Sequence, residues 1–299
     1  MKILWLCRDY ETKFKQREKS NANLIFKIKE LGGIDVTWDD VTVDYINNYD
    51  IVVVSDMPRY RKLKWKNVNA TKCLYITDIQ YNKPSKNLKQ MNAYKSIKVA
   101  LKYFDHIFTN SPQAWKKLWS KENFKNVHII PLSANGDKFK DYNQEKDIDI
   151  LLTGNVTGKI YPIRRKMLEL FRDHKGFQHV RPKQKPLKIG VNYSKLLNKA
   201  KISCSCTSMY NFTVAKSFEI PASMSALLSD LTADMRDLGF KDEENMIRFD
   251  NNVKEKVEHY LKNPDKLKVL TTNGYNLVHE NHTTEIRARK FLQYLEKMK

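Results

Sequence analysis

Short apolar runs alternate with helical periods along most of this chain. Lys2–Cys7 is an apolar run followed at once by Arg8 and Asp9, and it reads as a first buried strand. Asn21–Leu31 sets Leu24, Ile25, Ile28 and Leu31 at helical spacing, and Gly32-Gly33 ends the pattern. Ile34–Trp38, Ile51–Val54 and Cys73–Thr77 are further strand candidates. Gln90–Phe104 returns to a helical period through Met91, Tyr94, Ile97, Leu101 and Phe104. His106–Thr109 is a strand, Ser111-Pro112 is an N-cap followed by proline at the first helical position, and Val127–Pro131 is a strand again.

Residues 132–146 are polar and rich in turn formers, and then the alternation restarts. Asp147–Thr153 is a buried strand, a helix follows from about Pro162, and Tyr193–Ala200 is a short helix. Lys201–Cys206 is a strand, Val214–Met224 starts helical, and Ser225–Ser229 and Met246–Phe249 are strands. Three helices close the chain, over Val253–Asn263, Pro264–Glu280 and Thr283–Met298. Strands separated by helices, with no hairpin turns, predict parallel sheets in an α/β protein. The expected division is a first domain over 1–135, a linker over 136–146, a second domain over 147–282, and a C-terminal helix over 283–299 that packs back on the first domain. Ligand crevices of such sheets lie beyond the carboxyl ends of the strands, so two facing sheets would share one cleft.

Length and composition agree with two folded domains: 299 residues, 41% of them hydrophobic. No apolar run approaches the roughly 18 residues of a membrane span. The four cysteines, at 7, 73, 204 and 206, form no C-x-x-C pair, which argues for reduced thiols and a cytoplasmic setting. Charge changes the picture more. The formal net charge is +20, and two blocks carry nearly all of it: 51–100 at a net +9 and 151–200 at a net +10.

Candidate chemistry gathers where predicted strands end. Gly154 and Asn155 follow the strand DIDILLTG, Gly158 lies in the same loop, and Lys159, Arg164 and Arg165 add cations. A loop and a helix N-terminus there favour a diphosphate, although glycine after a strand is also an ordinary turn. Neither G-x-G-x-x-G nor a P-loop occurs, which disfavours dinucleotides and ATP. Glu219, in KSFEIPASM, can complement a helix dipole or accept both hydroxyls of a ribose. Asp56 and Asp78 each follow an apolar strand, where they can orient an acceptor hydroxyl, act as base, or cap a turn.

The ordered segments DIDILLTGN, YPIRRKMLELF, AKISCSC, KSFEIPASMSALLSD, LGFKDEENMIRF, VKEKVEHYL and ENHTTEIRARKFLQYL resemble the C-terminal domain of GT-B glycosyltransferases, most closely the spore-maturation CgeB type. FDHIFTNSPQAWKKLW and VHIIPLSANGDKF resemble the last N-terminal segment and crossover of that family. The resemblance implies two Rossmann-like domains facing across a cleft, and transfer of a hexosyl group, with retention, from a nucleotide sugar, UDP-linked by preference. It implies that Glu219 contacts the donor ribose, that Lys216 lies near the diphosphate, and that Gly154, Asn155, Tyr161 and Arg164 line the donor loop. Many retaining members carry a second acidic residue eight positions before the ribose glutamate; that position here is Asn211. Such enzymes generally use no metal and no cofactor, and the chain has no convincing D-x-D motif.

The acceptor follows from the charge. The stretch MPRYRKLKWKNVNATK interleaves Arg59, Arg61, Lys62 and Lys64 with Tyr60 and Trp65. Cations hold phosphates and aromatics stack on bases, so this mixture suits nucleic acid, whereas a solvated lysine-rich surface is the plainer alternative. Within the transferase reading, DNA bearing a hydroxylated base, as in viral DNA glucosyltransferases, is the first expectation. Teichoic acid, a surface polysaccharide or a protein comes second. A non-catalytic nucleic-acid-binding module on a transferase fold is the alternative from a different class, favoured by Asn211.

Overall fold

A computed structural model describes residues 1–9, 20–157, 160–181 and 190–298. Two compact units divide them. One holds the N-terminal strand, Asn21–Pro131 and the chain from Arg287 onward; the other holds Leu132–Ile286.

In the first unit, strands and helices alternate as β1 (Ile3–Leu6), α1 (Ser20–Glu30), β2 (Ile34–Thr37), α2 (Val43–Ile46), β3 (Ile51–Val54), α3 (Met57–Tyr60), β4 (Thr71–Tyr75), α4 (Leu88–Tyr103), β5 (His106–Thr109), α5 (Pro112–Trp119) and β6 (Val127–Ile129). The strands form one parallel sheet in the order β2-β1-β3-β4-β5-β6. Ile3 stands opposite Ile34 on one side and Ile51 on the other. Every residue of β1 and β3 is buried, as strands covered on both faces require. Caps set the helix starts: the Asn87 side chain accepts from the Gln90 N–H at 3.2 Å, and the Ser111 hydroxyl accepts from the Ala114 N–H at 3.2 Å.

The second unit runs β7 (Ile148–Thr153), α6 (Pro162–Phe171), β8 (Phe177–Val180), α7 (Gly190–Asn198), β9 (Ala200–Cys204), α8 (Lys216–Glu219), β10 (Ala226–Ser229), α9 (Ala233–Asp237), β11 (Ile247–Arg248), α10 (Val253–Lys262) and α11 (Pro264–Asn281). Its parallel sheet has the order β11-β10-β9-β7-β8. Two elements of this unit have no counterpart among the sequence expectations, as α2 and α3 have none in the first. Strand β8 lies at the sheet edge with Gln178 exposed, and α9 is a short turn of helix whose start is capped by Thr232. Strand β9 stops at Cys204, so Cys206 sits in the loop beyond it, buried like the other three cysteines.

The segment 136–146, expected as a linker, is counted within the second unit. Phe139 packs in that unit's core. The Lys146 ammonium donates to the carbonyls of Asn198, Ala200 and Met224, so a charge that would be costly to bury dry is hydrogen-bonded three times.

Helix α12 (Thr284–Glu296) ends the chain, and its side chains from Arg287 onward lie in the first unit. Phe291 is fully buried there, with its ring centroid 4.3 Å from that of Phe108, 5.0 Å from Trp5 and 6.0 Å from Tyr75. Among the described residues no helix is long and apolar enough to cross a membrane.

Truncating such a ring leaves a cavity in the sheet's aromatic cluster. Phe291→Ala should destabilise the first unit by about 3–5 kcal/mol, read from the guanidinium midpoint followed by Trp fluorescence. A loss under about 1 kcal/mol would show that α12 adds little to that core.

Candidate functional site

The second sheet reverses direction at β7. The chain passes from β7 to β8 on one side and then to β9 on the other, and such a switch point leaves a crevice beyond the carboxyl ends of the two strands. Thr153 ends β7, and Gly154 follows with φ +106°. A Cβ at that position would lie 3.0 Å from Arg164 Nη1 and 3.0 Å from Lys216 Nζ, so glycine is what lets two cations close on this backbone. Lys216 Nζ donates to the Thr153 carbonyl and to its hydroxyl, both at 2.7 Å. The same hydroxyl meets the Tyr193 hydroxyl at 3.0 Å. Arg164 Nη1 donates to the Asn155 carbonyl at 3.0 Å, and its guanidinium carbon lies 4.1 Å from the Tyr161 ring centroid. On the other side, His179 Nε2 stands 3.0 Å from the Gly154 carbonyl, to which it donates.

The loop after β9 supplies the other wall. The Thr207 N–H donates to Asp230 Oδ1 at 2.8 Å and the Thr207 hydroxyl donates to Asp230 Oδ2, which pins this loop to the end of β10. The Met209 N–H donates to the Ile160 carbonyl at 2.7 Å and joins the two loops. Burial raises the Cys206 thiol, and the positive charges of Arg164 and Lys216 oppose that shift, so Cys206 lies within the field of both cations. Burial pushes the Glu219 carboxyl up to about 7 against the pull of Lys216. Tyr193 is raised as well, by burial first and by the Glu219 charge second.

Four buried polar atoms in these same segments have no hydrogen-bond partner: Arg164 Nε, Ser205 Oγ, Thr213 Oγ1 and Ser217 Oγ. Native proteins satisfy nearly all such groups, and each one left alone costs about 1–3 kcal/mol. Arg164 is on α6, Ser205 and Thr213 are on the loop beyond β9 and Ser217 is on α8, and the first unit has such atoms too, on Gln80, Thr109 and Asn110. Arg164 is the clearest case, a guanidinium only 5% exposed with one nitrogen to spare.

Gly154, Asn155, Tyr161, Arg164 and Lys216, which the sequence analysis groups, are brought together by contact, and Glu219 shares the four-residue α8 with Lys216. Asn211 is exposed in a left-handed conformation (φ 61°) and bonds through its backbone to Ser208. Gly158, Lys159 and residues 182–188 lie outside the described residues. Thr153, Tyr193, His179 and the Thr207–Asp230 pair escaped the sequence analysis. Their partners are 22 or more positions away, so no local spacing signals them.

In the first unit the switch point lies between β1 and β3, where Arg8 Nε and Asp56 Oδ1 stand 3.4 Å apart. Asp56 makes no side-chain cap to α3. Asp78, beyond β4, is exposed, and its Oδ1 lies 3.5 Å from Gln80 Nε2. The expected acceptor set divides. Lys62 and Lys64 are exposed, Arg59 pairs with Asp40 at 3.1 Å, and Arg61 donates to Asn92 at 3.1 Å. Trp65 is a correction. It is 2% exposed, its indole N–H donates to the Tyr60 carbonyl at 3.1 Å, and its ring packs 4.8 Å from Phe104, so it cannot stack on a base. Tyr60 is buried too, its hydroxyl donating to the Asp39 carbonyl.

Comparison with known proteins places this geometry. Residues 144–293 match the model of the family described as glycosyl transferase-like. No curated protein sequence matches the chain. Among solved structures, HepE of Anabaena in complex with UDP and glucose has a TM-score of 0.67 at 8% identity, over 99% of this chain and 100% of that one. Sucrose-phosphate synthase from Thermosynechococcus elongatus has a TM-score of 0.66 at 12% identity, over 100% and 99%. The pneumococcal O-GlcNAc transferase GtfA in complex with UDP and GlcNAc has a TM-score of 0.54 at 11% identity, over 93% and 60%. The likeness spans both units and shows the two-domain α/β fold of GT-B glycosyltransferases.

The Glu219 carboxyl gives this site a pH signature. Its ordinary value is 4.5 and its value in the fold is about 7, so the native state holds the proton more tightly than the unfolded chain. The cost of ionising it in place is absent below 4.5, grows between the two values and is complete above 7. Glu219→Gln should therefore raise the unfolding midpoint at pH 8 and lose that advantage by pH 5. The same shift at both pH values would contradict the assignment.

Proposed function

The chain belongs to the glycosyl transferase-like family, and from that premise we propose that its second unit binds a UDP-sugar beyond β7 and β9 and donates the sugar to an acceptor hydroxyl. One observation carries the proposal: Gly154, Arg164 and Lys216 converge at the switch point, with Glu219 on the same short helix as Lys216. The diphosphate lies against the Gly154–Asn155 backbone with Lys216 and Arg164 as its cations. As the sugar leaves, negative charge grows on the diphosphate, and cations held in place beforehand lower the barrier to that charge. Glu219 accepts from the ribose hydroxyls. Asp56, at the switch point of the first unit, is the first choice for handling the acceptor hydroxyl, and Asp78 the second. The complexes of HepE with UDP and glucose and of GtfA with UDP and GlcNAc support a uridine donor.

The acceptor is a polyanion in this proposal, with DNA bearing a hydroxylated base one example and teichoic acid another. Support comes from charge alone, the net +9 of residues 51–100 with Lys62, Lys64 and Lys66 exposed. With Trp65 and Tyr60 in the core, base stacking gives no support.

Thermal shift with a panel of nucleotide sugars tests the donor. UDP-glucose or UDP-GlcNAc at 100 times its dissociation constant should add about 2.7 kcal/mol of stability. Lys216→Ala and Glu219→Ala should each weaken binding at least tenfold while the chain stays folded. A panel in which no nucleotide sugar binds would defeat the proposal. Retention on duplex DNA at 50 mM salt, lost by about 200 mM, is expected for the acceptor; no retention at low salt would exclude DNA.

A further inference from the structure

A cavity of about 340 Å³ opens in the second unit. Met224, Leu261 and Leu267 give it apolar walls, and Lys146, Lys201 and Lys268 also line it. Lys201 is the second residue of β9, and Met224 lies two positions before β10. The cavity therefore sits at the amino ends of strands whose carboxyl ends carry the donor site. Five residues of β9, at about 3.3 Å each, put about 16 Å between the two.

The three lysines are not equivalent. Lys201 Nζ pairs with Asp149 Oδ1 at 2.7 Å. Lys146 spends its three protons on the carbonyls of Asn198, Ala200 and Met224, at 3.0, 3.1 and 2.5 Å, yet no carboxylate bonds to it. Lys268 is exposed on α11 and makes no hydrogen bond or ion pair among the described residues. No acidic side chain lines the cavity. An apolar chamber near the lower end of the size range of small-molecule sites thus carries uncompensated positive charge, with one ammonium that has donors to give.

We propose that this cavity binds a small amphiphilic carboxylate, its apolar body against Met224, Leu261 and Leu267 and its single anionic head on Lys268. The one ammonium with protons to give sets the head at one anionic group. The fixed charge of Lys146 adds attraction without a direct bond. The site stands independently of the donor proposal, since it shares none of the residues assigned to the nucleotide sugar.

Isothermal titration of the full chain with decanoate tests it, with decanol as the uncharged control. One saturable decanoate site is expected, at least tenfold tighter than decanol. Lys268→Glu, a change at an exposed position, should weaken decanoate at least tenfold and leave decanol unchanged. Saturating UDP should leave decanoate affinity unaltered. Absence of saturable decanoate binding, equal affinity in Lys268→Glu, or displacement by UDP would each overturn the assignment. A chain that binds decanoate in this way but no UDP would uphold the cavity while removing the donor proposal.

Discussion

The ammonium of Lys216 holds the candidate site together. It bonds to both oxygens of Thr153 and so ties the start of α8 to the end of β7. An ammonium taken from water is costly unless it is well bonded, and two neutral oxygens are weaker partners than an anion. Around it the chain has a glycine at Gly154, where φ is +106° and a Cβ would stand only 3.0 Å from the cation, and a buried Tyr193 behind Thr153. Glu219, one turn along α8, is held by burial at about 7 rather than in the carboxylate range. The Lys216 charge opposes the burial that raises Glu219, so the two side chains of α8 are electrostatically linked.

The two units repeat one principle with different residues. Each sheet reverses once, and each reversal places polar side chains in the loops beyond its strands. In the second unit these are Gly154, Arg164 and the loop pinned by Asp230; in the first they are Arg8 and Asp56. Among the described residues, unpartnered buried atoms occur in both units, on Arg164, Ser205, Thr213 and Ser217 in the second and on Gln80, Thr109 and Asn110 in the first, where Arg8 and Asp56 stand 3.4 Å apart.

Much of the fold was legible in the sequence for reasons that are local. Strands β1, β3 and β7 are buried on nearly every residue, which writes them as apolar runs, α4 shows in its helical period and α5 in its Ser111 cap. Strand β8 was hidden because an edge strand keeps polar residues such as Gln178 and His179. Lys216 was legible only through the resemblance, since it reaches Thr153 across 63 positions, and His179, which reaches Gly154 across 25, gave no local signal at all. Trp65 misled for a physical reason. Interleaved cations and aromatics look alike whether the ring faces solvent or folds inward, and here the lysines turn out while Trp65 and Tyr60 turn in.

Hydrogen exchange on the full chain, with and without UDP, tests the central claim most directly. A diphosphate held between β7 and β9 should slow exchange of the backbone amides over 154–157 and 205–217 and leave those over 56–64 unchanged. Protection absent from both second-unit segments, or confined to the first unit, would contradict the account.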